Sequence, residues 1–263
     1  MLYSKTENGT ITFSVEKLAV EVFPSRAEMG KQVATDVAKC IEKILLTKQE
    51  VNIIFAAAPS QVEVLYNLVD NKTIDWPSVN AFHMDEYVGI DKEAPQSFGN
   101  FLRDHIFGKV AFKSVHYING QATDTEKECE RYAALLQDKK PDIVCLGIGE
   151  NGHIAFNDPN EADFKDPKAV KVVELDYICR QQQVNENCFS EISKVPTHAF
   201  TLTIPTLLSA DFMFCTVPAM NKAMAVKRTL SENISEQCPA TILRTKGNTK
   251  LYLDEQSSSL INF

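Results

Sequence analysis

Short apolar runs rich in β-branched residues recur along this chain, each followed by a longer amphipathic segment, and that alternation constrains the fold more than any other feature. Candidate strands run over 19–23, 51–57, 79–83, 143–147, 170–175, 200–204, 212–217 and 251–253. Several are apolar throughout, as strands buried on both faces must be. Between them the pattern predicts helices over 26–47, 61–69, 98–107, 124–137, 205–210 and 221–232. Ser25 with Glu28, and Ser60 with Glu63, fit the S-x-x-E capping box, in which the two side chains satisfy free backbone donors of the first turn. Asn8-Gly9 reads as a hairpin turn. The fold class is α/β: a mainly parallel, Rossmann-like sheet with helices on both faces. No repeat, low-complexity stretch or composition break divides the 263 residues, so residues 1–263 read as one domain. The Asp-, Asn- and Pro-rich segment 158–168 reads as a mobile surface loop.

Charge narrows the partners. The 27 Lys and Arg face 35 Asp and Glu, a formal net charge of −8, which disfavours attraction to nucleic acid or to an anionic membrane. An anionic small substrate would need locally placed cations. The seven cysteines are scattered with no C-x-x-C pair and read as reduced thiols. The N-terminus is polar with no apolar stretch behind it, and no run approaches the roughly 18 apolar residues of a membrane span. A cytoplasmic protein without a leader or anchor is the expectation.

Ligands of open parallel sheets bind beyond the carboxyl ends of the strands, where loops and helix N-termini converge. Three such ends carry chemistry. Phe55-Ala-Ala-Ala-Pro-Ser60 leads into a helix whose first N–H groups could seat an anion, or could form a plain turn. Asn80-Ala-Phe-His-Met-Asp-Glu-Tyr87 ends in two adjacent carboxylates. Strand alternation lets only one of Asp85 and Glu86 face a given cleft, and a partly buried carboxylate there can serve as a general base; taken alone, such a pair is more commonly a solvated acidic turn. Segment 142–159 sets glycines at 147, 149 and 152 just before His153, and the Asn157-Asp158 pair that follows could orient the imidazole. Ile154 and Phe156 are expected to pack into the core.

Segments 80–89 and 147–159 resemble the two signatures of the glucosamine-6-phosphate deaminase (isomerase) family, which read approximately F-N-M-D-E-Y-V-G and G-G-x-D-G-H-I-A-F-N-E-P. The resemblance continues through 95–98, 176–180, 202–208 and 221–223. It implies a catalytic set of Asp85, His153, Asn151 and Asp158. Asp85 would move a proton between C2 and C1 of the open-chain amino sugar, and His153, supported by 151 and 158, would open the ring. It implies a substrate-binding set of Ala58, Ser60, Glu86, Gly149, Arg180 and Lys222, with Arg180, Lys222 and the turn near Ser60 on the 6-phosphate. The implied partner is a small sugar phosphate, with room for a homo-oligomer. No cofactor and no metal are implied, because the reaction needs a proton shuttle, a ring opener and an anion clamp.

The chain also departs from the family pattern. Asn151 stands where the pattern has Asp, which removes a charge expected beside the imidazole; by that logic a carboxylate restored at 151 would speed ring opening. Asp158 stands for Glu, one methylene shorter. Ala56-Ala-Ala-Pro-Ser60 stands for a T-G-G/S-T-P loop, so flexible backbone and hydroxyl donors are missing. Three alternatives remain open: a 6-phosphogluconolactonase-like lactone hydrolase, a non-catalytic sugar-phosphate sensor, and a metal hydrolase built on His83, Asp85 and His153. The last lacks any recognisable ligand spacing.

Overall fold

The computed structural model describes residues 3–262. A hairpin of β1 (Ser4–Lys5) and β2 (Ile11–Val15) turns around Asn8-Gly9, and β2 lies antiparallel to β3 (Leu18–Phe23). The chain then alternates: α1 (Arg26–Leu45), β4 (Val51–Phe55), α2 (Val62–Asp70), β5 (Val79–His83), β6 (Asp85–Tyr87), α3 (Phe98–Leu102), β7 (Ser114–His116), α4 (Thr125–Asp138) and β8 (Ile143–Leu146). It continues with β9 (Val170–Glu174), α5 (Tyr177–Asn185), β10 (His198–Leu202), α6 (Ile204–Leu208), β11 (Phe212–Val217), α7 (Ala223–Ser231) and β12 (Thr249–Asp254). The main sheet has nine strands in the order β1-β2-β3-β12-β11-β8-β4-β5-β7, parallel from β3 onward.

The continuous apolar runs have the expected consequence. Ile53, Phe55, Ile143 and Cys145 point to one face, where Val33, Val37 and Ile41 of α1 and Leu65 and Leu68 of α2 cover them. Ile54, Val144, Leu146, Leu251 and Leu253 point to the other, under Tyr132 of α4, Leu207 of α6 and Val226 and Leu230 of α7. Each such side chain contributes about 1.5–3 kcal/mol on leaving water. Among the described residues, no helix is long and apolar enough to cross a membrane.

Two of the expected strands lie outside the main sheet. β9 and β10 join β6 in a separate three-stranded antiparallel sheet. The sequence carries a mark of this in Lys171 and Glu174, which leave β9 only partly buried, unlike the wholly buried β4 and β8. The pattern of apolar runs predicts neither β7 nor α5. The expected helix 98–107 divides into α3 and a wider π-type turn over Arg103–Phe107. Segment 158–168 contains no helix or strand, but its first residue, Asp158, is fully buried and so is no part of a surface loop.

Of the two capping boxes, only the serine half of one forms, and the Glu28 carboxylate accepts from the Ser25 hydroxyl at 3.0 Å rather than from a backbone donor. Ser25 Oγ accepts the Glu28 N–H at 3.2 Å and starts α1. Ser60 caps nothing: a 3-10 turn over Pro59–Gln61 precedes α2, and the Ser60 hydroxyl accepts from Gln61 Nε2 at 3.1 Å. Glu63 is drawn instead to Arg26, 2.6 Å away, which ties the starts of α1 and α2 together.

That junction is tight. A Cβ on Gly30 of α1 would stand 2.5 Å from Glu63 Cβ. Gly30→Ala is expected to lower stability by about 1–3 kcal/mol through overpacking, despite alanine's better helix propensity; a urea melt showing no loss would contradict this close approach.

Candidate active site

A cleft of about 340 Å³ opens where the ends of β4, β8 and β11 meet β6 and α5, and its wall includes Asp85, His153, Ala58, Ser60, Gly149 and Lys222. The turn after β4 is placed by Gln61. This side chain is 1% exposed and directs its Nε2 toward the carbonyls of Leu146 and Thr216, each at 3.4 Å, at the ends of β8 and β11.

The glycine-rich segment after β8 folds onto itself. Gly149 N–H donates to the His153 carbonyl and Gly152 N–H to the Gly149 carbonyl, both at 3.0 Å. The imidazole lies flat on Gly149, where a Cβ would come within 2.2 to 2.4 Å of three ring atoms, so no other residue fits there. Ile154 and Phe156 are buried as expected. Phe156 N–H donates to Thr201 Oγ1 at 3.1 Å and Asn157 Nδ2 to the Leu202 carbonyl at 2.9 Å, which fastens the segment to β10. Thr201 is also the register partner of Asp85.

His153 Nδ1 stands 2.8 Å from Asp158 Oδ1, leaving Nε2 for a ligand. Burial acts to raise the Asp158 pKa, but the His153 charge and hydrogen bonds from His153, Asn151 and Cys179 together hold it below the ordinary carboxylate value. Asn151 does not touch the imidazole as expected. Its Oδ1 accepts the His153 backbone N–H at 3.0 Å, and its Nδ2 bridges Asp158 at 2.9 Å and Asp176 at 3.3 Å. The carboxylate on the imidazole is Asp158, so the charge support that the substitution at 151 was expected to remove is present. His153, Asp158 and Cys179 place potential metal-ligand atoms within 4.8 Å of one another. Burial and the nearby Asp158 and Asp176 push the Cys179 thiol well above its ordinary value. This thiol donates to Asp158.

Alternation at β6 separates the two acidic neighbours. Asp85 faces the cleft with Oδ1 buried and unpartnered. Burial first, and Glu86 second, push its pKa well above the ordinary value. Glu86 is absent from the cleft wall, contrary to its expected substrate contact. It accepts from the Tyr87, Phe98 and Gly99 N–H groups and the Ser97 hydroxyl. His83, drawn into the metal alternative, is likewise away from the cleft: its Nε2 accepts the Ile118 N–H at 2.8 Å, and burial lowers its pKa to about 4.

At the other end of the cleft, Lys222 Nζ lies 3.1 Å from Glu186 Oε1. Arg180 does not join it. Its guanidinium donates to the carbonyls of Ile192 at 2.7 Å and Val195 at 2.9 Å, and the α5 side chains that reach the wall are Gln182 and Gln183, with Glu186 just beyond the helix. The sequence signal for these was Asp176, whose Oδ1 accepts the Cys179 N–H at 2.6 Å and caps α5.

A doubly covered parallel sheet, a carboxylate-backed imidazole and a second carboxylate in one cleft define an enzyme-like site for acid–base chemistry at strand ends. A family model described as glucosamine-6-phosphate isomerases/6-phosphogluconolactonase matches residues 24–252, and the chain belongs to that family. It is 35% identical over 216 residues to the glucosamine-6-phosphate deaminase of Listeria innocua, covering 82% of this chain and 90% of that one. It is also 35% identical over 222 residues to the Bacillus cereus enzyme of that name, covering 84% and 82%. A monomeric glucosamine-6-phosphate deaminase of known structure superposes with a TM-score of 0.83 at 29% identity, over 92% of this chain and 99% of that one. The 6-phosphogluconolactonase of Trypanosoma brucei shares the fold with a TM-score of 0.77 at 18% identity, over 95% and 100%.

Two outcomes follow from the Asp158 network. Because the folded Asp158 pKa is lowered, its stabilisation is present above the unfolded value near pH 4 and is lost as pH falls through the folded value. The stability difference between the wild type and Asp158→Asn should therefore shrink between urea melts at about pH 7 and about pH 3. Asn151→Asp would set a third carboxylate against Asp158 and Asp176. It should lower both melting temperature and kcat, the latter at least about tenfold, or about 1.4 kcal/mol of barrier; a faster variant would restore the charge-deficit view.

Proposed function

We propose that this protein converts glucosamine 6-phosphate to fructose 6-phosphate and ammonia. The observation that carries the reading is the placement of Asp85 and the Asp158-backed His153 in one cleft, with Lys222 at its far end. Ring opening requires a proton to leave the C1 hydroxyl and one to reach the ring oxygen, a task for the free Nε2 of His153 while Asp158 stabilises the imidazolium. The resulting aldehyde acidifies the C2 proton. Asp85 takes that proton and returns it to C1 while the aldehyde oxygen gains the proton that the C2 ammonium gives up, which leaves a C1 hydroxymethyl group and an iminium at C2. Water adds at C2 and ammonia departs, so one water is consumed for each ammonia released.

The raised pKa of Asp85 suits it to this step, since a carboxylate made more basic by burial accepts a carbon-bound proton more readily than an ordinary one. A lactonase needs the imidazole to activate water but has no task for the second, unpartnered carboxylate, which favours the isomerising reading.

Asp85→Asn should lower ammonia release by about 10²–10⁴-fold and abolish deuterium incorporation from solvent at C1, without lowering thermal stability because a buried charge is removed. In the wild type, activity should fall as pH drops through a value well above the ordinary carboxylate range. A variant that still exchanges fully, or a wild type that hydrolyses 6-phosphogluconolactone and releases no ammonia, would overturn the reading.

A further inference from the structure

Lys222 is the only Lys or Arg among the described residues that line the cleft, and it is already paired. The Lys222 and Glu186 side chains are 6% and 17% exposed, and the same Glu186 oxygen also accepts Gln182 Nε2 at 2.9 Å. Glu186 follows the last residue of α5. That is the negative end of the helix dipole, where a carboxylate is disfavoured, so helix stability does not account for it. Both members of the pair face the cleft.

We propose that Glu186 is a resident counter-anion of the phosphate subsite, and that the substrate's phosphate must displace it from Lys222. The inference rests on the reading above that the substrate is a 6-phosphorylated sugar. A buried ammonium with no partner is costly, and Glu186 spares the empty cleft that cost. A phosphate dianion brought to Lys222 meets the Glu186 carboxylate in the same small volume, and the like charges repel. Since the rest of this end is neutral, with Gln182 and Gln183 on α5 and Ala58 on the turn after β4, no second cation offsets the repulsion. Glu186 is the more exposed partner, so its carboxylate has a path to water when it leaves. Glu186 thus determines specificity: it weakens binding of any phosphate that lacks the further contacts of a sugar.

Glu186→Gln keeps the shape and the bond from Gln182 but removes the competing charge. Two readouts apply to the whole protein. Calorimetric titration with inorganic phosphate should show Kd falling about tenfold in the variant, and the gain should vanish when Lys222→Met is added. The KM for glucosamine 6-phosphate should fall several-fold, and by a larger factor than the KM for unphosphorylated glucosamine. An unchanged or weaker phosphate Kd in a folded variant would overturn the proposal, as would equal KM changes for both sugars. If neither protein releases ammonia but the phosphate Kd falls, the counter-anion stands and the deaminase reading fails. If both release ammonia and the phosphate Kd does not move, the deaminase reading stands and the counter-anion fails.

Discussion

Burying a parallel sheet on both faces leaves its carboxyl ends as the place where backbone and polar side chains can meet a ligand. The chemistry of this protein collects there because the turns after β4 and β8, together with β6 beyond β5, project past the packed layers. Polar groups at these ends are still largely buried, so each must find partners within the protein. Asp158 illustrates the demand. It is fully buried and remains a carboxylate because His153, Asn151 and Cys179 surround it. Glu86 meets the same demand with backbone donors that oppose, but do not cancel, the upward push of burial on its pKa, whereas Asp85 is left with an unpartnered oxygen and is pushed well above the ordinary value.

The distribution of charge along the cleft divides it into two ends. Near β6 and β8, neutral or negative groups surround the imidazole. At the far end, a lysine and a glutamate neutralise each other. Burial sets protonation at the first end, while at the second one cation is shared with a carboxylate.

The main sheet was legible in the sequence because wholly apolar strands require burial on both faces. That Asp85 and His153 lie at strand ends beside one cleft was legible because each follows such a strand. Arg180 was not, and the reason lies in α5. This helix turns Tyr177 and Ile178 outward, 68% and 54% exposed, and buries Gln182 and Gln183. Its apolar residues mark the wrong face, so pattern alone cannot give the direction of a neighbouring cation. Asn151 misled for a related reason. The loss of a charge is visible in a sequence, but the carboxylates that an amide bridges are visible only once Asp176 and Asp158 are brought together in space. The small antiparallel sheet was missed because its β6 member is three residues long and its pairing joins segments more than a hundred residues apart.

That small sheet has a further consequence. Thr201 of β10 stands opposite Asp85 and also receives the Phe156 N–H from the loop that carries His153. One residue on one strand is therefore the common reference point for the two acid–base groups. Because successive residues of a strand face opposite sides, a slip of β10 by a single position would turn Thr201 away from its loop contact while shifting the partner of Asp85. The spacing of the two groups is thus held like two marks on one ruler, and local melting of β10 would release both from their places in the cleft together.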